Sequence, residues 1–371
     1  MTPFERRTRR LQERLGDDEA VVLFPSPNLY YLTGTWEEPS ERVFHLLVGP
    51  AGDPILVAPE LAAGAVREDT WLGDVRSYGD DEEPEAIIQG AAAELGIDDG
   101  RLAVDPTMWA LFTEALRDVL PAATLGLADE HMTALRIRKD DRELAAMRKA
   151  ATIADDVSET IRALGDEVIG WTETELAAEI ESRLTDHGGE ALPFPIIAAA
   201  GPNAARPHHT NGDRTIEAGD PVVLDFGTTV DHYPSDQTRT VVFDGQPTAA
   251  FEEAFEAVRA AQAAAIDVIE PGITTGDIDR AARSVIEDHG YGAEFIHRTG
   301  HGVGLSVHEP PYITADGTRE VAPGMVFSVE PGVYREGEFG VRIEDLVVVT
   351  EDGAERLNDS PRHWRATPTE M

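Results

Sequence analysis

The sequence predicts two domains, a small α/β unit followed by a larger α+β unit. Three observations carry this expectation. The length, 371 residues, suffices for two hydrophobic cores. In the first third, short β-type runs alternate with amphipathic segments. Beyond residue 140, helical and strand-like stretches come in separate runs, with hairpins among them.

In the first third, Ala20–Phe24, Val43–Val48, Ile55–Ala58 and Leu102–Val104 read as strands, and Pro84–Leu95 and Met108–Leu116 as helices. Pro121 to Ala128 reads as a linker-like break, which puts the expected domains at 1–128 and 129–371. Asp140–Leu164 follows as one long helix, capped by Asp140 or Asp141, with Leu144, Met147, Ala151 and Ala154 as its apolar stripe. A capping box, Thr172 with Glu175, opens the next helix. Strand pairs are expected over Pro193–Ala199, Val222–Val230 and Gln237–Phe243, helices over Ala249–Val268 and Thr275–His289, and strands around Met325–Val329 and Ile343–Val349.

Composition narrows the function. There is no cysteine, which excludes disulfides, thiolate metal sites and cysteine nucleophiles. Apolar runs such as Ile196–Ala200 fall far below the roughly 20 residues of a membrane span. Met1–Arg14 is charged and lacks the apolar core of a signal peptide, so the expected location is the cytoplasm. Acidic residues number 70 against 31 basic ones, a net charge of −39, and only Lys139 and Lys149 are lysines. The acids are spread through the segments expected to fold. Such self-repulsion weakens a compact state in dilute salt, whereas molar salt shortens the Debye length to about 3 Å; a salt-in halophile is the natural host. The same charge repels nucleic acid.

The chemistry-bearing residues lie between 205 and 345. Val222–Val–Leu–Asp225–Phe–Gly227 ends an apolar run in a carboxylate, and Asp236 follows before the β-type stretch Thr238–Phe243. A chain reversal between them would bring both acids to one face, where like charges need a cation or a shared proton. Taken singly, an acid pair in so acidic a chain is most often a solvated surface feature. His297–Arg–Thr–Gly–His301–Gly–Val–Gly–Leu–Ser–Val–His308 is different, because three of the eleven histidines fall in one glycine-rich stretch. His45, His131, His187, His289 and His363 read as packed or surface residues. Glu330 ends the apolar run Met325–Val329, and Glu344 opens Leu346–Val349. Four acids at strand ends and one imidazole suit two divalent ions, with Mn²⁺ favoured by oxygen-rich ligation; such a pair activates water at neutral pH.

These motifs resemble the pita-bread metallopeptidases, in particular the Xaa-Pro dipeptidase (prolidase) and aminopeptidase P branch. The stretch Asn28–Leu–Tyr–Tyr–Leu–Thr–Gly34 looks like a creatinase-type N-terminal domain, and residues from about 140 onward look like the catalytic fold. The resemblance implies metal ligation by Asp225, Asp236, His301, Glu330 and Glu344, with Asp236 and Glu344 shared by two ions, Mn²⁺ first and Co²⁺ second. It implies that His308 and His208 stabilise the tetrahedral oxyanion, with His209 the lesser choice, and that His297 lines the proline pocket. Glu330 would also move the proton to the leaving nitrogen, and Arg342 would orient the carboxylates. The implied substrate is a small peptide with proline second, and the implied assembly is a homodimer. Larger prolidases use an arginine to hold the substrate carboxylate; no motif here places it, and Arg319 and Arg335 are the nearby candidates. The alternatives are an aminopeptidase P acting on longer peptides, a C–N hydrolase or lyase on a small non-peptide substrate, and a binding module without catalysis.

Overall fold

Val21, Val22, Leu46, Leu47, Leu56 and Val57 are wholly buried, and they form the centre of the first sheet in the computed structural model, which describes residues 1–366. The chain divides into Met1–Arg136 and Ile137–Met371. The helix Asp129–Arg136 therefore belongs to the first unit, beyond the expected boundary at 128, and residues 367–371 of the expected second domain lie outside those described.

The first unit runs α1 (Pro3–Gln12), β1 (Glu19–Leu23), α2 (Pro27–Thr33), β2 (His45–Val48), β3 (Ile55–Pro59), α3 (Glu60–Asp69), β4 (Asp74–Tyr78), α4 (Glu85–Leu95), β5 (Arg101–Val104), α5 (Ala110–Val119), β6 (Thr124–Leu127) and α6 (Asp129–Arg136). Its sheet has the order β4-β3-β2-β1-β5-β6. The β1–β2 and β2–β3 pairs are antiparallel and the others parallel. Val22, Leu47, Val57 and Leu102 pack with Phe112 and Leu116 of α5 in one core. The linker-like break expected over Pro121–Ala128 is instead largely β6, paired in parallel with β5. As an edge strand with half-exposed residues, it lacks the apolar run that marks a buried one.

The second unit begins with α7 (Asp141–Arg162), capped by Asp140 and Glu143 in a capping box, and α8 (Glu173–Asp186), capped by Thr172 and Glu175. Then come β7 (Ile197–Ala200), β8 (Val222–Phe226), β9 (Thr229–Val230), β10 (Tyr233–Pro234) and β11 (Gln237–Val241). After α9 (Ala249–Asp267) and α10 (Thr275–Asp288), the chain ends in β12 (Gly300–Gly302), β13 (Glu309–Ile313), β14 (Val326–Val329), β15 (Gly332–Arg335), β16 (Phe339–Arg342), β17 (Asp345–Thr350) and β18 (Gly353–Arg356). Its sheets have the orders β11-β8-β7 and β13-β12-β14-β17-β18, with β9–β10 and β15–β16 as two-stranded ribbons.

Strand parity decides which side chains face the helices. Val222, Leu224 and Phe226 of β8 and Val241 of β11 join the core under α7 and α8. Phe327 and Val329 of β14, Phe339 and Val341 of β16, and Val347 and Val349 of β17 join the core under α9 and α10. Because side chains alternate along a strand, the opposite face receives Asp225, Asp236, Thr238, Ser328, Glu330, Arg342 and Glu344.

The stretch expected as one strand over Val222–Val230 breaks at Gly227. An added Cβ there would lie 2.0 Å from the carbonyl oxygen of Ser235, so the two chain segments meet where only glycine fits. Beyond it, Asp231 and His232 have φ of 50° and 67°, the doubly left-handed turn that matches strand twist in a tight hairpin.

Candidate functional site

Pairing of β8 with β11 sets Asp225 opposite Thr238 and Phe226 opposite Gln237. Asp236 therefore continues the register opposite Gly227, two places from Asp225 and on the same face. A bridge between Thr238 and Glu344 joins this ladder to β17, and the Thr238 hydroxyl donates to Glu344 Oε2 at 2.6 Å. From β12 comes His301, whose Nε2 lies 3.3 Å from Glu330 Oε1 and 3.8 Å from Asp236 Oδ2. Asp236, His301 and Glu344 present ligand atoms all within 4.8 Å of one another. Ser328 ties the cluster together: its hydroxyl accepts from the His301 amide and donates to Glu330 Oε1, both at 3.1 Å.

The electrostatics of this group call for a cation. Burial raises the pKa of Asp225, and Arg342 opposes the shift. Burial and then Asp225 raise Asp236 well above the usual range; burial and then Asp236 do the same to Glu344. Glu330 is pushed up to about 7, chiefly by burial. Burial, then His308, lowers His301 to about 3. Neutral His301 is oriented by Nδ1, 3.3 Å from the carbonyl of Gly302; with the proton there, its Nε2 lone pair faces carboxylate oxygens. Asp225 Oδ1 is buried without a hydrogen-bond partner among the described residues. Acceptors facing acceptors, with a buried oxygen left over, fit a hard divalent ion held by oxygen and imidazole donors.

The cavity above these ligands measures about 640 Å³, and Phe194, Ile197, Ile296 and Val307 give it an apolar wall. His208, His297, His308 and Arg342 line it as well. His308 stands with its ring 4.1 Å from that of His301, and its pKa is lowered by burial, then by Arg298 and His208. His209 also lines the cavity, but its Nε2 is held at 2.7 Å by Glu173. His297 is lowered to about 4, chiefly by burial. Its Nδ1 faces the Arg298 carbonyl at 2.7 Å, and its Nε2 lies 3.0 Å from the Tyr334 hydroxyl. Arg342 donates to Asp225 Oδ2 at 2.5 Å, to Tyr334 at 3.0 Å and to Thr238 at 3.0 Å.

Three participants were not singled out from the sequence. Tyr334 links His297 to Arg342, but in β15 it reads as an ordinary strand aromatic. Glu173, fully buried, accepts from Ala200 N, Asn203 Nδ2, His209 Nε2 and Gly212 N. Burial would raise its pKa, yet the donors from Ala200, Asn203 and His209 hold it below its usual value. Arg298 is the third: it lines the cavity, lies 4.6 Å over the Tyr312 ring, and pairs with no carboxylate among the described residues. Its place between His297 and His301 was the available signal. Neither Arg319 nor Arg335 lines the cavity.

Comparison with known proteins points to one family. Residues 145–351 match the model of metallopeptidase family M24, and residues 7–138 match the creatinase/prolidase N-terminal domain. A probable dipeptidase PepE of Mycobacterium bovis is 38% identical over 352 residues, covering 94% of this chain and 92% of that protein. A dipeptidase from Pyrococcus horikoshii OT3 superposes with a TM-score of 0.91 at 38% identity, covering 98% of this chain and 99% of the other. A prolidase from Thermococcus sibiricus gives 0.92 at 35% identity with the same coverages. With its helix-backed sheets, its buried acid-and-imidazole cluster and these likenesses over nearly its whole length, the chain belongs to metallopeptidase family M24.

Proposed function

We propose that this enzyme hydrolyses the bond between an N-terminal residue and a following proline, with free dipeptides as the preferred substrates. The observation that carries the proposal is the presence, in one cavity, of the Asp225, Asp236, His301, Glu330 and Glu344 cluster and the guanidinium of Arg298, which pairs with no carboxylate among the described residues. A dipeptide brings a scissile carbonyl and a terminal carboxylate close together, and the cavity offers a counterpart to each. The dipeptidase and prolidase names of the relatives support the same reading.

Two divalent ions held by the five ligands, Mn²⁺ first and Co²⁺ second, would supply Lewis-acid activation of water and of the scissile carbonyl. The chain's own groups do the rest. Glu330 takes a proton from the attacking water and delivers it to the departing proline nitrogen. His308 and His208 donate to the carbonyl oxygen as it gains charge. Arg342 fixes Asp225 through Nη2 and Tyr334 through Nη1. His297, held by Tyr334, walls the ring. An Xaa-Pro amide has no N–H and a fixed φ, so a cavity that relies on metal and imidazole contacts suits it better than one that grips an extended strand.

The test is hydrolysis of Ala-Pro and Ala-Pro-Ala with added Mn²⁺ in molar KCl. Cleavage of the dipeptide alone is expected. Equal or faster cleavage of the tripeptide would make aminopeptidase P the better description. Metal binding without cleavage of either peptide would overturn the reading in favour of a small-molecule C–N hydrolase. We assign the −39 charge to a salt-in halophile, which is why the assay holds KCl high.

A further inference from the structure

The second unit has another cavity, about 570 Å³, between α9 and the C-terminal segment, with Glu256, Arg259, Arg362, His363 and Arg365 on its walls. Its charge runs against that of the rest of the chain. In a protein with 70 acids, three arginines line this hollow with one acid among them. Arg259 is engaged by Glu256 at 2.5 Å. Arg362 donates Nη1 to the amide oxygen of Gln262 at 2.9 Å and pairs with no carboxylate among the described residues. Arg365 lies 4.3 Å over the Trp364 ring and likewise has no carboxylate partner among them.

A fourth arginine lies behind the wall. Arg162, 3% exposed, donates Nη2 to the carbonyls of His363 and Arg365 at 2.6 and 2.7 Å. Its Nη1 is buried with no hydrogen-bond partner among the described residues. Burial, then repulsion from Arg356 and more weakly from Arg239 and Arg259, holds Arg362 below its usual range even though Asp345 attracts it. Among the described residues, Arg239, Arg259, Arg356, Arg362 and Arg365 share only Glu256 and Asp345 as close counter-charges, and the residual repulsion is free energy that a bound anion would recover.

We propose that this cavity binds a small multivalent oxyanion of the sulfate or phosphate class, held by Arg259, Arg362 and Arg365. Guanidinium forks match the paired oxygens of such ions, a geometry that chloride cannot use. The bound anion ties α9 to the C-terminal segment, which is itself anchored where the Val242 amide donates to the Trp364 carbonyl at 2.7 Å and the Ala366 amide to the Val242 carbonyl at 3.1 Å. Occupancy therefore reinforces the attachment of residues 362–366 beside Val242, just beyond β11.

The experiment is a calorimetric titration of the Mn²⁺-loaded protein with potassium sulfate in 1 M KCl, with sulfate chosen because it does not precipitate manganese. Saturable binding to one site is expected. The double variant Arg362→Gln with Arg365→Gln should weaken it at least tenfold while the circular dichroism spectrum stays unchanged. Should the double variant not fold, Arg365→Gln alone, at an exposed position, should weaken it several-fold. No saturable binding by the wild type, or equal affinity in wild type and folded variant, would overturn the proposal.

Discussion

Arg342, at the end of β16, holds Asp225 of β8 across two separate sheets: Nη2 donates to Oδ2 at 2.5 Å, with the arginine side chain 4% exposed and the aspartate side chain 13%. The other nitrogens of the same guanidinium reach Tyr334 and Thr238, so one planar group sets three partners at once. Arg342→Lys keeps the charge and loses the fork. Activity on Ala-Pro at saturating Mn²⁺ is expected to fall about 10–100-fold, the usual effect of removing a group that orients metal ligands. Steady-state kinetics of the folded variant provide the check, and a loss under twofold would remove Arg342 from this role.

Lys139, one of the two lysines, meets Glu309 at 2.8 Å with side-chain exposures of 1% and 8%. Glu309 directly follows His308, so this ion pair secures the base of a loop that reaches the cavity. Lys139→Met leaves a buried carboxylate without its partner and should cost about 3–5 kcal/mol. The double variant Lys139→Met with Glu309→Leu should regain most of that loss. Denaturation midpoints of the three proteins decide the matter; equal loss in single and double variants would show that packing, not charge, is at stake.

His45 is buried in the first unit, edge-to-face with Phe112 at 5.3 Å, and both ring nitrogens lack hydrogen-bond partners among the described residues. Burial lowers its pKa to about 4 from 6.5. Between these values the unfolded chain binds a proton that the folded chain refuses, so stability falls as pH drops through this window and is flat with respect to His45 above it. The full loss is on the order of 3 kcal/mol. His45→Leu should flatten this part of the stability profile, measured by denaturation from pH 7 to pH 4 in constant KCl. An unchanged slope would count against the assignment.

Lowering KCl from about 1 M to about 0.1 M lengthens the Debye screening distance from about 3 Å to about 10 Å. With a net charge of −39, the melting temperature should fall with it. Each kcal/mol of added repulsion lowers Tm by roughly 2–4 °C for units of this size. A melting series in KCl, repeated with sucrose at matched osmolality, separates charge screening from general stabilisation. A Tm indifferent to salt would refute the halophilic reading.

Legibility in the sequence followed burial. The central strands β1, β2, β3 and β5 carry uninterrupted apolar runs and were readable, whereas the two edges of the sheet, β4 and β6, were not. The β4 sequence Asp–Val–Arg–Ser–Tyr reads as polar because Arg76 pairs with Asp74 and Glu94 at the rim, at 2.8 and 2.5 Å. Asp225, Glu330 and Glu344 were legible because each closes or opens an apolar run, which marks a charge at the end of a buried strand, and Asp236 because it precedes a β-type stretch. Tyr334 and Glu173 left no such mark. Their importance comes from partners outside the local pattern, Arg342 on the paired strand and His297 37 residues earlier for one, and the stretch from Ala200 to Gly212 for the other. Local pattern has no way to record such contacts.

The hairpin between Asp225 and Asp236 acts as a measuring device. Its span is set by a glycine with no room for a side chain and by a two-residue reversal at Asp231 and His232. Surface hairpins ordinarily tolerate insertions, but one residue added between Gly227 and Asp236 would shift the pairing by one and send the second carboxylate to the helix side. The number of residues separating the two acids is thus as much a part of the proposed metal site as the acids themselves. Natural variation in this family should conserve that loop's length more strictly than most of its letters.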